Sequence, residues 1–365
     1  MDSLFPLISY FLRLGALGFG GPIALVGAMH RDLVETRGWL SEEEYREGLA
    51  LAQLAPGPLA AQLAIYIGYV RGSILGAGLV GVAFILPSFL IVVALGAAYV
   101  RYGGLPWMQA VFYGVGAAVI GLIARSAYGL TKKTVGGDVL LWIIYLVLAI
   151  ATVLTGREIV WLFPLAGIAA WLWRAPPAFL RRRGVLPDGG ALLLQLLGFF
   201  AFAGTFVFGS GLAIVPFLHG GVVLDHQWLT ERQFLDAVAV ALITPGPVVI
   251  TTAFIGFLVA GFAGAVVAAV GTFAPCFLFT VIPAPYFRRY GSRPWLAAVV
   301  AGVTAAATGA IAGAVVVLGQ RSIIDLPTAL IAIMALLATT FRRKIPEPLV
   351  ILAAALAGLA LKSGG

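Results

Sequence analysis

Apolar residues run through the chain in long stretches separated by short polar joints. They cover roughly 4–29, 48–70, 73–100, 105–124, 139–155 and 159–173, then 191–218, 237–260, 262–284, 295–318, 326–341 and 348–361. Runs of about 20 apolar residues predict helices that cross a bilayer. Two of the runs are interrupted near their middles: ALAQLAPGPLA at 50–60 and ALITPGPVVIT at 241–251. Pro-Gly-Pro cannot continue a helix, because it removes backbone donors and the prolines clash with the preceding turn. The first segment of each half carries a second kind of break, Gly18-Phe19-Gly20-Gly21-Pro22 and Phe208-Gly209-Ser210-Gly211.

The interruptions recur because the chain repeats. Shifted by 189 positions, Phe11 falls on Phe200, Gly15 on Gly204, His30 on His219 and Trp39-Leu40 on Trp228-Leu229, and Pro56-Gly57-Pro58 falls on Pro245-Gly246-Pro247. After a slip of one residue the match continues, with Pro87 on Pro275 and Pro106-Trp107 on Pro294-Trp295. Fixed-period self-similarity of this kind marks a duplicated unit. The expected organisation is an N-terminal repeat, 1–173, a basic Pro/Gly-rich cytoplasmic linker, 174–190, and a C-terminal repeat, 191–365.

Charge sets the orientation. Residues are 61% hydrophobic and 10% charged, against roughly 25% charged in soluble domains, so the chain reads as an all-α polytopic inner (plasma) membrane protein. No cleavable leader is expected. The +8 net charge reads as loop bias of a membrane protein and not as nucleic-acid binding. The single cysteine, Cys276, excludes a disulfide. If all twelve segments spanned, Lys and Arg would divide 12 against 10. If each Pro-Gly-Pro segment enters and leaves on one side, they divide 17 against 5, with Arg13 left inside the membrane. The positive-inside rule selects the second arrangement. It predicts two inverted-topology repeats, each of about five spanning helices plus one re-entrant Pro-Gly-Pro segment, an architecture of secondary transporters.

Non-helical backbone at membrane depth survives where it is buried in protein or lines a cavity. Helices restarting after Pro58 and Pro247 would point unpaired N–H groups and a positive dipole end at the break, which favours an anion. Candidate binding residues are therefore Pro56, Gly57, Pro58 and Gln62 with Pro245, Gly246, Pro247, Thr251 and Thr252. Phe19, Gly20, Gly21, Gly209, Ser210 and Gly211 join them at the second pair of breaks, with Arg13 as the basic residue inside a span. Local alternatives stay open: a packed kink at either triplet, snorkelling by Arg13, and bonding across helices by Gln53 and Gln62. Ser41-x-x-Glu44 and Thr230-x-x-Gln233 read as capping boxes opening helices that lead into the triplets. His30, Glu47, His219 and Asp236 occupy matched positions and are the candidates for proton coupling, surface or packing roles being the alternative.

These residues resemble the chromate ion transporter (CHR) family in its long, two-domain form. The likeness lies in Phe19-Gly20-Gly21-Pro22, Trp39-Leu40 and Pro56-Gly57-Pro58, then Phe208-Gly209-Ser210-Gly211, Trp228-Leu229 and Pro245-Gly246-Pro247. The second half departs from the family's Phe-Gly-Gly-Pro. The resemblance implies proton-driven export of an oxyanion, chromate first with sulfate as a relative, by alternating access at a midplane site. A passive anion channel is the alternative. No cofactor, metal or enzymatic role is expected, partners are the oxyanion and the lipid bilayer, and base rates alone point to a homodimer.

Overall fold

The computed structural model describes residues 4–18, 21–102, 105–155, 162–174, 192–205, 207, 214–286, 294–341, 345 and 347–362. Phe19, Gly20, Gly209, Ser210, Gly211 and the linker after Arg174 lie outside the described residues. Among the described residues the chain is helical and without strands. The first half comprises α1 (Phe5–Leu17), α2 (Gly21–Met29), α3 (Glu42–Leu54), α4 (Leu59–Tyr102), α5 (Pro106–Thr134), α6 (Val139–Thr155) and α7 (Leu162–Arg174). The second comprises α8 (Leu192–Gly204), α9 (Val215–His219), α10 (Glu231–Ile243), α11 (Thr251–Val281), α12 (Pro294–Ser322), α13 (Leu326–Phe341) and α14 (Glu347–Lys362). Among the described residues four stretches are long and apolar enough to cross a membrane: 59–102, 106–129, 248–286 and 301–322.

The first segment of each half does not cross as one span, as the sequence reading expected; it folds back between α1 and α2 and between α8 and α9. After α1 the backbone turns extended at Gly18 (φ −79°, ψ 101°), and α2 returns beside α1, continuing through a π-helical turn, His30–Thr36. The Tyr10 hydroxyl donates to Asp32 at 3.2 Å, and Arg37 lies 5.3 Å from the Tyr10 ring. In the second half Phe199, the repeat counterpart of Tyr10, stacks on Phe217 at 5.5 Å and meets Trp228 edge-on at 5.7 Å. At 13 residues, α1 and α8 are each about 20 Å long, short of a hydrocarbon core of about 30 Å.

The Pro-Gly-Pro segments fold back as expected. Both capping boxes form, Ser41 with Glu44 and Thr230 with Gln233. They open α3 and α10, and each helix runs to its triplet. The chain then returns along the first arm of α4 or α11. The Tyr66 hydroxyl donates to Glu47 at 3.1 Å, and Gly48 lets the Tyr66 ring lie against the α3 backbone. A straight helix would hold such residues more than 20 Å apart.

A third reversal follows. Gly72-Ser73 and Ala260-Gly261 leave helical geometry, so α4 and α11 are each two antiparallel arms. Gly68 abuts Gly76 and Gly256 abuts Gly264, backbone on backbone. Each half therefore holds two short hairpins, followed by the arm 74–102 or 262–281 and three further helices. The five-span count gives way, and with it the derivation of inversion from an odd number of spans.

The last helices interlock the halves. α5 packs against α13 and α14, and α12 packs against α6 and α7. Glycines permit the approach: Gly114 and Gly121 take the carbonyls of Ala354 and Ala332, while Gly302 and Gly309 take those of Ala166 and Tyr145. Small residues at helix contacts let backbones pack closely where lipid offers no hydrophobic drive.

The two third-reversal turns, Gly72-Ser73 and Ala260-Gly261, differ at both residues, and the second difference bears on strain. Ser73 (φ 52°, ψ −148°) occupies the conformation that Gly261 (φ 60°, ψ −151°) holds in the other half. That region is essentially reserved for glycine, and a side chain there costs of order 1–3 kcal/mol. Ser73→Gly is expected to raise stability by about 1 kcal/mol, after the greater unfolded-state entropy of glycine. Gly261→Ser is expected to lower it by a similar amount. Thermal unfolding of the detergent-solubilised protein measures both, and a Ser73→Gly protein less stable than its parent would refute the assignment of strain.

Candidate functional site

The two triplets form the tips of the α3–α4 and α10–α11 hairpins. α3 ends with Ala55 extended, Gly57 takes φ +148°, and Pro58 caps α4 by accepting from Gln62 N at 2.9 Å. In the second half Gly246 takes φ +95°, Pro247 caps a single 3-10 turn, Val248–Ile250, and α11 follows. The prolines thus stand just before the restarted helices, which frees the next N–H groups, those of Leu59, Ala60 and Ala61 in α4, from intrahelical pairing. Pro58, Gly57, Pro245, Gly246 and Pro247 are buried and Pro56 is partly so.

Each tip is held by the opposite half. The Gly57 N–H donates to the Val207 carbonyl at 2.5 Å, and the Gly246 N–H donates to the Gly18 carbonyl at 3.0 Å. Donors and acceptors are both 189 positions apart, so the two bonds are images of one another under the repeat. The tip of each Pro-Gly-Pro hairpin therefore meets the first hairpin of the other half. Ser88, midway along the second arm of α4, donates to the Gly15 carbonyl at 3.3 Å and lies against Gly246.

Several expected ligand donors are already engaged. Thr251 donates to Val248 O at 2.7 Å and Thr252 to Val249 O at 3.0 Å, so neither hydroxyl proton is available to an anion. Gln62 donates from Nε2 to Pro56 O at 2.9 Å. Arg13 is exposed, on the side of α1 away from the buried Phe11 and Gly15, and is not brought to the hairpin tips. Gly21 opens α2 directly after the break. Among the described residues no three His, Cys, Asp or Glu side chains converge to hold a metal.

The proton-coupling candidates stand at the open ends of the hairpins. His30 meets Glu42 at 2.8 Å through Nε2 and Glu35 at 3.1 Å through Nδ1. His219 meets Glu231 at 2.8 Å, the same pair shifted by 189 positions. Each His–Glu contact ties the return arm of the first hairpin to the start of the second. The third member differs: Arg321 pairs with Glu231 and lies 3.3 Å from His219. The bond to His30 holds the exposed Glu42 carboxyl below its ordinary range. Asp236 is buried and accepts from Tyr99 of the other half at 2.6 Å, where its counterpart Glu47 accepts from Tyr66 of its own hairpin. Sequence reasoning missed Ser88, Tyr99, Arg321 and the acceptor carbonyls. Ser88 carried one signal, its position after Pro87, which matches Pro275-Cys276.

A family profile described as "Chromate transporter" matches residues 5–171 and again 194–359. The chain belongs to the chromate transporter family. Its relatives include a chromate transport protein of Cupriavidus metallidurans, 62% identical over 98% of this chain and 93% of that protein. A probable chromate transport protein of Synechococcus elongatus is likewise 62% identical, over 98% and 95%. The chromate transport protein of Pseudomonas aeruginosa is 31% identical over 96% and 91%. No solved structure matches the chain. This chromate transporter family member is a multi-pass membrane protein, and each profile match contains one Pro-Gly-Pro hairpin tip.

Positive φ and contact together make the tip glycines irreplaceable. A Cβ on Gly57 would stand 2.6 Å from Gln62 Nε2, and one on Gly246 would overlap Ser88 Oγ. Gly57→Val and Gly246→Val are expected to abolish transport while leaving membrane insertion intact. Gly246→Ala should lose less when combined with Ser88→Gly than alone, because the smaller neighbour removes the overlap and leaves only the φ strain. Strict additivity of the two in a transport assay would count against this contact.

Proposed function

We propose that the protein is a secondary transporter that exports chromate or a close oxyanion relative, driven by the proton gradient, with alternating access at the junction of the hairpin tips. The observation that carries the reading is the reciprocal pair of hydrogen bonds from Gly57 and Gly246. It pins the starts of two restarted helices, one from each half, to the first hairpins of the opposite halves. Their N-terminal N–H groups supply positive potential, worth roughly half an elementary charge per helix end, without a fixed cation. A binding site of that kind holds an anion by dipoles and releases it when the dipoles separate. The relatives named as chromate transport proteins support the choice of anion.

Helix directions support inverted repeats. Gly309 contacts Tyr145 and Gly313 contacts Ala149, so α12 runs parallel to α6. A four-residue connection, 135–138, joins α5 to α6, and connections this short join antiparallel helices. α5 and its counterpart α12 therefore run oppositely, and a twofold relating them lies perpendicular to both. Such an axis lies in the membrane plane. It sets His30–Glu42 and His219–Glu231 on opposite faces, where protons would be taken up and released.

Two measurements test this. Inside-out vesicles containing the protein are expected to accumulate chromate above empty vesicles under an imposed proton gradient, and to lose the difference when the gradient is dissipated. Uptake indifferent to the gradient would replace the transporter with a channel. Single cysteines near Arg37 and near Arg232, with Cys276 replaced, are expected to label from opposite faces with an impermeant reagent. Labelling from one face would remove the inversion.

A further inference from the structure

The amide of Gln62 is folded back over the tip of its own helix. Nε2 donates to Pro56 O at 2.9 Å, and the side chain lies within 3.0 Å of the place a Cβ on Gly57 would occupy. This bond fixes the amide, because the flipped rotamer would set two acceptors face to face. Oε1 then points the other way, and it has no hydrogen-bond partner although Gln62 is 0% exposed. Buried acceptors are normally paired. Here the unpaired one belongs to a residue in the first turn of a 13-residue helical arm, 59–71, whose leading N–H groups, those of Leu59, Ala60 and Ala61, have no intrahelical acceptor.

We infer that Gln62 accepts a hydrogen bond from the substrate, so that the site takes a singly protonated tetrahedral oxyanion in preference to the bare dianion. The inference rests on the transport reading above. A dianion offers only lone pairs, and Oε1 would repel one of them. A hydrogen oxyanion presents one O–H to Oε1 and keeps three oxygens for the backbone donors. It also carries half the charge out of water, and the cost of burying charge rises steeply with its magnitude. Thr251 and Thr252 add no competing donor, since both protons are spent on carbonyls. The consequence is selectivity. Hydrogen chromate persists close to neutrality, whereas sulfate is fully deprotonated there. A site built around one substrate O–H rejects an analogue without it far more strongly than shape alone could.

The test uses the full-length protein in proteoliposomes and labelled chromate across the pH range in which hydrogen chromate gives way to chromate. The wild-type KM for total chromate is expected to rise as hydrogen chromate disappears, with sulfate competing at least about tenfold less well than chromate. Gln62→Met removes the acceptor at similar volume. It is expected to flatten the pH dependence of KM and to cut the preference for chromate over sulfate about tenfold or more. In Gln62→Glu the acid form alone can donate to Pro56 O and still accept, so the preference should return as the pH falls. That variant decides the matter should Gln62→Met fail to fold. A wild-type KM that follows the dianion, or full selectivity in both variants, overturns the inference while leaving transport established. Absence of chromate uptake by the wild type at every pH would sink the transport reading, and this inference with it.

Discussion

A backbone N–H at membrane depth must have a partner, and this constraint organises the molecule. An unsatisfied peptide group in hydrocarbon costs several kcal/mol. A Pro-Gly-Pro break necessarily exposes such groups. Gly57 and Gly246 find their acceptors in the opposite half, at Val207 and Gly18. Those acceptors lie beside the glycine breaks of the first segments. Each break thus solves the other's deficit, and neither half can close its own tip. The interlocking of α5 with α13 and α14, and of α12 with α6 and α7, follows the same logic on a larger scale.

Glycine is the second organising feature, through size more than flexibility. Gly15 and Gly204 take the carbonyls of Phe84 and Thr272, and the pairs Gly68/Gly76 and Gly256/Gly264 bring arms of one hairpin into backbone contact. These contacts carry no direction-specific bonds. They allow the short hairpins to stand upright against the 74–102 and 262–281 arms, so that 13-residue arms reach the junction from their own ends. Without them the tips would be held too far apart to exchange hydrogen bonds.

Much of this arrangement is legible in residue order. The shift of 189 pairs the triplets, the capping boxes and the two histidines, and each of those pairs has matching geometry. Gly72-Ser73 already separates two apolar stretches, which are the two arms of α4. What residue order does not carry is the direction of the chain after a break. Leu4–Met29 is long enough to span, and Gly18 to Pro22 is compatible with a kink or a reversal. The reversal is decided by Tyr10 meeting Asp32 and by Phe199 meeting Phe217, contacts between residues about 20 positions apart. Ser88 was invisible for the same reason: its neighbours, Gly15 and Gly246, come from two other segments. Arg13 misled because a charge within an apolar run draws notice, while the face it occupies depends on packing.

The halves differ most where they meet. The one-residue slip falls between the tip glycines, 189 apart, and the hairpin glycines Gly68 and Gly256, 188 apart. The second half absorbs it with a 3-10 turn where the first begins an α-helix at once. Gln62 stands in the first turn on one side and Thr251 on the other; Ser88 faces Cys276, and Ser73 faces Gly261. In an inverted-repeat transporter the inward and outward states interconvert when the halves exchange conformations, and identical halves would make them equal in energy. Unlike residues at the tips and hinges therefore do two things together. On the transport reading proposed above, they give one substrate orientation an advantage and set which way the empty protein rests.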